Sequence, residues 1–532
     1  MTSSADPAPT GLPPSIFNDV IGPVMRGPSS SHCAAAVRIG RLARDLVGGE
    51  LESVLVEFHT GGSLATTHAS QGSDMGLFGG LLGWDATEER LVDSAAAIRE
   101  AGVTVEIRVS DFPAPHPNTY RLTLRGPGME HRMTALSTGG GMIRVVEVDG
   151  RAVEMGGDRW ETLVFLAPAT GEAGETERLL TRLEKDLRPD ELRLVGDEGG
   201  GLVQLGTREP VPDVALDDLR ADPLVREVRS LPPVLPVLSR PGMEVPFLTA
   251  GQMEAYDAGA GLPLWRLAAR YESARGDLPE EEVLARMAGI VEVVERSLEE
   301  GLEGREYPNR ILGPQAGRFR ETMEGGGLLG SGLLNRVVLY VTALMEVKSS
   351  MGVFVAAPTA GSSGALPGAC LAAAHELASS REEVARAMLA AGVVGVFIAA
   401  RSTFAAEVCG CQAECGAGSG MAAAALVTLA GGTRGQALGA ASMALQNTLG
   451  MVCDPVANRV EVPCLGRNVL AASNALASAN MALADFDPVI PLDEVVETMD
   501  AVGKSIPREL RCTALGGLSV TPTSKEIEAR LA

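Results

Sequence analysis

The sequence predicts a multidomain protein with an α+β N-terminal domain, a βαββαβ middle domain and an all-α C-terminal domain. The chain has 532 residues, more than one compact core usually holds, so two or three domains are expected. Runs that alternate apolar and polar residues, as strands do, lie before about residue 232, and helical spacing dominates after it. With 63 glycines and only 4% aromatic residues, closely packed helices are expected.

The N-terminal domain is predicted at 15–155, after a disordered segment at 1–14 that is rich in Pro, Ser and Ala. Its first helix and its strands are predicted from the spacing of their apolar residues. The segments are "AAAVRIGRLARDLVG" for the helix and "ESVLVEFHT", "VTVEIRVS", "TYRLTLRG" and "MIRVVEVDG" for the strands. This mixture indicates an α+β unit.

The middle domain is predicted at 160–232 from six short segments. In chain order they are "ETLVFLAPA", "ETERLLTRLEKDL", "ELRLVGD", "GLVQLGT", "DVALDDLRAD" and "VREVRSLP". The order strand, helix, strand, strand, helix, strand is the ferredoxin-like arrangement. In a metabolic enzyme it fits a ligand-sensing module of the ACT type, and a dimerisation or packing domain is the alternative.

The C-terminal domain is predicted at 248–532, after a proline-dotted linker at 233–247. The segment "EEEVLARMAGIVEVVERSLEEGLEG" begins with acidic residues and ends at glycine, as a capped helix does. Glycine-rich breaks then separate several helices rich in Ala, Leu, Val and Met, so this domain is expected to be all-α.

Charge and hydropathy exclude some classes of function. The net charge is −23, and such an acidic surface repels phosphate backbones, which argues against nucleic-acid binding. The longest apolar run, 387–400, has 14 residues, fewer than the roughly 18–20 that cross a bilayer, and it is expected to be a buried helix. No signal peptide is recognised at 1–14, so a cytoplasmic protein is expected.

Seven of the eight cysteines follow residue 369, which favours a metal or redox site in the C-terminal half over a secreted disulfide framework. Cys411, Cys453 and Cys464 each lie beside Gly, Pro or Asp, so turns or helix ends are expected there. Backbone N–H groups at turns hydrogen-bond cluster sulfides. Spacing alone leaves an iron–sulfur cluster, zinc and buried thiols open.

A second candidate site is the loop within "MGVFVAAPTAGSSGALPG" at 351–368. Its hydroxyls and free N–H groups suit an anion such as a substrate carboxylate. The residues concerned are Thr359, Gly361, Ser362 and Ser363. A plain glycine-rich turn is the alternative.

The third candidate is "IGPVMRGPSSSHCAAAVRIG", in which Ser29, Ser30 and Ser31 precede His32 at the start of a helix. The serines are either helix caps or neighbours of a histidine placed for acid–base work. "HPNTYR" at 116–121 is predicted to be a turn that lines a site.

Together these segments resemble the iron–sulfur-dependent L-serine dehydratase family. Segments similar to the family's β domain are "IGPVMRGPSSSHCAAAVRIG", "HPNT" and "STGGGMIRV"; segments similar to its α domain are "AAPTAGSSGALPG", "GCQAE", "CDPVANRVEVPCLGRN" and "TALGGLSVTPT". They occur in the family's order from about residue 15 to residue 523. The resemblance implies β and α subunits fused in one chain that converts L-serine to pyruvate and ammonia.

The resemblance also implies a site. A 4Fe–4S cluster is expected on Cys411, Cys453 and Cys464, with one iron open to the substrate, and His32 is the expected base. The implied substrate-binding residues are Ser29, Ser30, Ser31, His116, Asn118, Thr359, Gly361, Ser362 and Ser363. Cys409 and Cys415 are extra thiols, and a homodimer is expected.

The chain departs from the family in several places. Cys33 stands where the family usually has Thr, and Gln71-Gly72-Ser73-Asp74 stands where it usually has Gly-His-x-Thr-Asp. The tail "KEIEARLA" lacks the cysteine that ends some relatives, and Cys512 lies in a different motif. "GEAGE" replaces the tighter glycine turn of an ACT ligand site.

Three alternatives remain. A pyridoxal-phosphate enzyme needs a Schiff-base lysine, for which Lys348 is the best placed of four. The same cluster chemistry on another substrate describes an L-cysteine desulfidase or a hydroxy-acid hydro-lyase. An ACT-type sensor with a cluster as redox switch is the alternative that is not an enzyme.

Overall fold

The computed structural model describes residues 12–167, 174–197, 200–239, 242–330 and 332–531. The prediction of disorder up to residue 14 is wrong for its last residues. The Tyr271 hydroxyl donates to the Pro14 carbonyl at 2.6 Å, and Arg275 Nε donates to the Pro13 carbonyl at 2.5 Å. These bonds hold the segment on the helical part of the chain, and residues 1–11 lie outside the described residues.

The N-terminal part contains a six-stranded sheet in the order β3-β2-β4-β5-β6-β7, with β2 and β3 parallel and the other pairs antiparallel. Its elements are β1 (Val24–Met25), α1 (Ala35–Leu46), β2 (Ser53–His59), α2 (Leu64–Thr67), α3 (Ser73–Leu81), α4 (Ser94–Glu100), β3 (Thr104–Ser110), β4 (Thr119–Gly126), β5 (Met129–Gly139), β6 (Met142–Val148) and β7 (Arg151–Met155). The apolar face of α1 packs on this sheet, where Ile39 and Leu42 join Val56 and Phe58 in one core.

The middle part has the predicted order of elements. They are β8 (Trp160–Leu166), α5 (Glu175–Leu187), β9 (Glu191–Asp197), β10 (Gly200–Thr207), α6 (Asp213–Arg220) and β11 (Val225–Leu231). The sheet order is β11-β8-β10-β9, all antiparallel, so β10 separates β8 from β9 as in a ferredoxin-like unit. Most of the "GEAGE" turn, 171–173, lies outside the described residues.

The C-terminal part is helical apart from one short strand. Its elements are α7 (Ala250–Asp257), α8 (Leu264–Gly276), α9 (Glu280–Glu303), α10 (Ala316–Glu324), α11 (Gly332–Ser349), β12 (Phe354–Val355), α12 (Ala365–Leu377), α13 (Arg381–Arg401), α14 (Ala406–Cys409), α15 (Cys415–Leu429), α16 (Arg434–Gln446), α17 (Cys464–Leu483), α18 (Leu492–Ser505) and α19 (Pro522–Leu531). Helix α15 lies at its centre, packed against α12, α13, α16 and α17. Its buried face is mostly Ala and Gly, which lets these backbones approach closely.

The apolar run 387–400 lies inside α13, which is longer than the run itself. Within the described ranges, α13 alone is long and apolar enough to cross a membrane by length and composition. However, 78% of its most apolar window is buried inside the protein, the environment of a core helix.

The N-terminal and helical parts meet through the first residues of the chain. A π-helical turn at Ile16–Val20 packs on α13, where a Cβ added to Gly395 would lie 2.0 Å from a methyl of Val20. Strand β1 then pairs with β12, antiparallel, with Val24 opposite Val355. Because the candidate motifs follow directly after these two strands, this contact brings them together.

Candidate active site

The serine run forms a buried π-helical turn, Ser30–Ala34, that leads into α1. Ser29 is in the N-cap position but makes no capping bond, and its hydroxyl lies 3.0 Å from Nδ1 of His32. Ser30 Oγ accepts from the Ala360 backbone N–H at 3.1 Å. The turn therefore orients a histidine and also joins the N-terminal part to the loop of the helical part.

His32 is fully buried and is held from both ring nitrogens. Nε2 lies 2.8 Å from the Thr67 hydroxyl, which donates its own hydrogen to the Ser63 carbonyl at 2.8 Å. We therefore assign the proton to Nε2, which leaves Nδ1 as an acceptor. Burial, with a smaller contribution from His68, lowers the pKa of His32 to about 3, so the imidazole is neutral at pH 7.

The loop that follows β12 is shaped by its own hydroxyls. Ser362 Oγ accepts from the Thr359 backbone N–H at 3.3 Å, and the Thr359 hydroxyl donates to Glu414 Oε1 at 2.6 Å. The Ser363 hydroxyl points away, towards the sulfur of Met345 at 3.6 Å. Of the predicted hydroxyls in this loop, that of Thr359 faces a charged group.

Asn468 organises the same loop and was not predicted. Its Oδ1 accepts from the backbone N–H groups of Gly364 and Ala365, at 3.1 and 3.0 Å, where α12 begins. Its Nδ2 donates to the carbonyls of Gly361 and Cys464, at 2.7 and 2.8 Å. One fully buried amide thus ties the loop to the turn that carries Cys464.

The three predicted cluster cysteines are all buried and lie at element ends, as expected. Cys411 opens a 3₁₀ turn, Cys464 is the first residue of α17, and Cys453 forms an isolated bridge with Arg511. Cys411 and Cys453 share one buried cluster with Cys415 and Cys512. Burial raises the pKa of Cys464, and the charge of Cys411 lies close enough to raise it further.

Hydrogen bonds between pairs of thiols shift their pKa values. A hydrogen bond between Cys411 and Cys415, helped by the Arg467 guanidinium, lowers the pKa of Cys411 to about 7. The same bond raises the pKa of Cys415 well above its usual value. A bond with the Cys512 thiol, and then burial, raise the pKa of Cys453. Cys411 is therefore the thiol of this group that ionises most readily.

Two cations lie beside the thiols. Arg467 donates to Asp454 Oδ1 at 2.6 Å. Lys348 is buried, and its ammonium donates to the Val460 carbonyl; burial lowers its pKa to about 8, against the opposing charges of Cys464 and Glu461. Positive charge of this kind offsets the charge of buried thiolates.

Two buried glutamates complete the ionisable groups, and neither was predicted. Burial and the charge of Cys411 raise the pKa of Glu414 to about 8. Glu407 lies on α14, with Oε1 3.7 Å from Nδ1 of His32 and its side chain 2% exposed. Glu407 lies four residues before Cys411 and Glu414 lies three residues after it. This position in the sequence indicates carboxylates near the thiols, but it does not indicate the contact of Glu407 with His32.

The predicted turn lies at the same site, although it is shorter than the expected 116–121, because β4 begins at Thr119. His116 Nδ1 accepts from the Asn118 backbone N–H at 3.1 Å. Burial lowers the pKa of His116, and its other influences are the opposing charge of Glu407 and the like charge of Arg144. The turn therefore brings His116 and Asn118 to the same side as Glu407 and His32.

Gln71 and Cys33, the two residues that depart from the family pattern, differ in their distance from the thiol cluster. Gln71 is buried, donates to Asn458 Oδ1 at 2.9 Å, and places Nε2 3.4 Å from the Cys512 sulfur. Cys33 instead packs in a small apolar cluster with Met25 and Phe354, away from the thiol cluster. Gln71 therefore reaches the site, and Cys33 is a core residue.

Cys409 and Cys415, the extra cysteines of the C-x-C-x₃-C run, lie in different surroundings. Cys415 belongs to the thiol cluster, whereas Cys409 lies beside Asp500, its sulfur 3.9 Å from Oδ1. Among the described residues, no three His, Cys, Asp or Glu side chains are grouped as around one metal ion.

The chain is similar to known proteins, first over its helical part. The family model described as serine dehydratase alpha chain matches residues 259–519. A probable L-serine dehydratase alpha chain from Bacillus subtilis is 41% identical over 251 residues, 47% of this chain and 84% of the relative. The L-serine dehydratase alpha chain of Peptoniphilus asaccharolyticus is 38% identical over 268 residues, 50% of this chain and 92% of the relative.

The remaining part of the chain has its own relative. A probable L-serine dehydratase beta chain from Bacillus subtilis is 34% identical over 217 residues, which are 41% of this chain and 97% of the relative. The chain therefore belongs to the L-serine dehydratase family and unites beta-like and alpha-like parts in one polypeptide.

Proposed function

We propose that the chain is an L-serine dehydratase, which eliminates water from L-serine and releases pyruvate and ammonia. The observation that carries the proposal is that a neutral, buried histidine of the beta-like part meets a pocket of buried thiols of the alpha-like part. Glu407, four residues before Cys411, lies 3.7 Å from His32 and connects the two. The names of the relatives support the same activity.

We propose further that Cys411, Cys453 and Cys464 hold a 4Fe–4S cluster. The donor set supports this: the thiols are buried, Cys411 is ionised readily, and Arg467 and Lys348 supply positive charge. Thiolates of a multi-iron cluster stand farther apart than those of one ion, since each binds its own iron. When bound, such a cluster supplies an open iron that acts as a Lewis acid on the substrate hydroxyl.

The acid–base work is assigned to His32. A neutral imidazole accepts a proton, and the hydrogen bond from Nε2 to Thr67 fixes Nδ1 as the accepting atom. The Ser29 hydroxyl lies 3.0 Å from that nitrogen, and we propose that it turns to the substrate when serine binds, which leaves the Nδ1 lone pair free. We propose that Nδ1 removes the Cα proton of serine, that the Cα–Cβ double bond forms as the Cβ–O bond breaks, and that the imidazolium gives its proton to the departing hydroxide, which leaves as water. The aminoacrylate product then tautomerises to an imine, which water hydrolyses to pyruvate and ammonia.

The substrate is proposed to bind between the serine turn, the 116–121 turn and the loop after β12. His32, Asn118 and Thr359 on these elements are buried, and polar contacts made away from water are stronger than those made in it. The residues that remain assigned to the substrate are Ser29, Ser30, Ser31, His116, Asn118, Thr359, Gly361 and Ser362. Ser363, expected from the sequence, is not among them, because its hydroxyl faces the sulfur of Met345.

For the middle part we propose an ACT-type module, and for the whole protein a cytoplasmic homodimer. The strand order β11-β8-β10-β9 supports the module, since ACT modules share the ferredoxin-like arrangement. The segment of the expected ligand turn, 171–173, lies outside the described residues and adds no support.

A second candidate is the same chemistry on another substrate, because Gln71 replaces the histidine expected beside the thiols. The test is to incubate anaerobically purified protein with L-serine, L-cysteine or a hydroxy acid, and to measure pyruvate, sulfide and dehydrated acid. Pyruvate from serine at the highest kcat/KM supports the dehydratase. Faster sulfide release from cysteine, or faster dehydration of the hydroxy acid, contradicts it.

A further inference from the structure

Two buried side chains at the site carry polar atoms without partners. Within the described part of the chain, Oε2 of Glu407 and both amide atoms of Asn118 have no hydrogen-bond partner. Asn118 is fully buried, and the Glu407 side chain is 2% exposed. Leaving a buried polar atom unpaired costs about 1–3 kcal/mol, and more for a charged group. Unpaired buried atoms on two side chains of the same site point to a polar ligand.

These atoms lie around one histidine. The Asn118 backbone N–H donates to His116 Nδ1 at 3.1 Å, and the Glu407 charge acts on the same ring. Oε1 of Glu407 is 3.7 Å from His32 Nδ1, which leaves Oε2 as its free oxygen. Arg144 also acts on His116, so the place holds charge of both signs.

The nearby imidazoles do not neutralise Glu407. His32 is neutral at pH 7, since burial lowers its pKa to about 3, and burial also lowers the pKa of His116. Glu414 is close enough for the Glu407 charge to raise its pKa, and it supplies no positive charge. A buried carboxylate in such surroundings is stabilised by a cation that brings its own hydrogen-bond donors.

We propose that Glu407 binds the α-ammonium group of the substrate through Oε2 and so selects amino acids over hydroxy acids. The Asn118 amide completes the contact: Oδ1 accepts from the ammonium and Nδ2 donates to the substrate carboxylate. The proposal deepens the proposed function and rests on it, because it names the residue that recognises the amino group at the same site.

A different role for Glu407 predicts different kinetics. If it only oriented the His32 ring, its loss would lower kcat and leave the binding of unreactive ligands unchanged. If it binds the ammonium, its loss weakens every ligand that has an amino group and spares matched ligands that lack one.

The test uses two ligands that cannot eliminate water from Cβ: L-alanine, which has the ammonium group, and L-lactate, which has a hydroxyl in its place. Their dissociation constants are measured by calorimetry on the cluster-loaded, anaerobic protein. Removing one partner of a buried charge pair typically weakens binding by about 30-fold or more. Glu407→Gln is therefore expected to weaken L-alanine by about that factor and to change L-lactate less than about 3-fold.

Two further variants make the result unambiguous. Glu272→Gln is the matched control, because Glu272 is also fully buried but binds Ser15 and the Ile16 backbone; it is expected to leave both dissociation constants unchanged. Glu407→Asp keeps the charge, serves if the Gln variant does not fold, and is expected to weaken L-alanine less than Gln does.

An unchanged L-alanine affinity in Glu407→Gln, or equal losses for L-alanine and L-lactate, overturns the assignment. If wild-type protein binds neither ligand, the assignment is also wrong. Wild-type protein that binds L-alanine but releases no pyruvate from L-serine contradicts the proposed function alone, so the two failures are distinguishable.

Discussion

The serine–histidine turn and the thiol pocket lie on two sides of one contact between the beta-like and alpha-like parts, but they differ in their electrostatics. Around His32 the hydrogen-bond partners are hydroxyls, those of Ser29 and Thr67, and the ring is neutral. Around Cys411 the neighbours are charged or ionisable: Arg467 and Glu414. Under the proposed function, the neutral surroundings suit His32 as the group that moves a proton, and the charged surroundings suit the thiols as ligands of a cluster.

This separation explains why two parts of the chain are needed. A base works when it is neutral before the reaction, and burial without charged hydrogen-bond partners gives that. Metal-binding thiols work when they are ionised, and nearby cations favour that. One small element would have difficulty in providing both environments, whereas a contact between two parts provides them side by side.

The largest expected effect is on the thiol side. Cys453→Ser is expected to lower the iron content below about four atoms per chain and to remove nearly all serine turnover, because it replaces a proposed ligand. Iron and acid-labile sulfide are measured on anaerobically purified protein. Cys409→Ser is the control: its sulfur lies by Asp500, outside the thiol cluster, and full iron content is expected. Equal iron content in both variants contradicts the ligand assignment.

On the histidine side, the effect is expected on rate alone. His32→Gln is expected to lower kcat by about 10²–10⁴-fold, the usual contribution of a positioned acid or base, with iron content unchanged. His375→Gln is the control, since His375 lies near Tyr340 on the surface of the helical part. Loss of iron in His32→Gln would show that the histidine belongs to the metal side instead.

A smaller effect tests the tautomer of His32. Thr67→Val removes the oxygen that accepts from Nε2–H and keeps the shape of the side chain. A neutral hydrogen bond is worth about 0.5–1.5 kcal/mol, so kcat is expected to fall by up to about 10-fold. Thr66→Val, the neighbouring threonine, bonds to backbone carbonyls instead and is expected to retain kcat. Unchanged kcat in Thr67→Val contradicts the assigned proton position.

The smallest effect on turnover is expected at Asn468, which joins the loop after β12 to the start of α17; there the expected change is in thermal stability. Asn468→Ala leaves the buried N–H groups of Gly364 and Ala365 and the Gly361 carbonyl without this partner, which is expected to cost about 2 kcal/mol and to lower Tm by about 4 °C. Asn447→Ala, which removes an exposed amide pair, is the control in the same thermal melt. A Tm equal to that of wild type would contradict the role of Asn468.

The fold was predicted best where burial follows a simple period. The strands β2, β3, β4 and β6 alternate apolar and polar residues and were predicted, whereas β5 and β7 were not. In β5 the buried positions include His131 and Ser137, so its inward face is not apolar in sequence. The anchoring of Pro13 and Pro14 was missed because their partners, Tyr271 and Arg275, are more than 250 residues away.

Site residues were predictable where a single short sequence motif contains both the residue and the neighbours that define its role. The turn positions of the cysteines and the serine–histidine run follow from local residues and from the family resemblance. Glu407 and Asn468 were missed, since each acquires its role only by contact with a distant segment: Glu407 with His32, and Asn468 with Gly361. Such roles depend on tertiary structure, which local patterns do not contain.

The central claim is that acid–base groups of one part act on a substrate held at a metal centre of the other. The most direct measurement is serine turnover by anaerobically purified protein, with iron and sulfide analysis, before and after exposure to air. The account predicts about four irons per chain and activity that disappears together with the iron. Metal-free protein that deaminates serine at the original rate contradicts it.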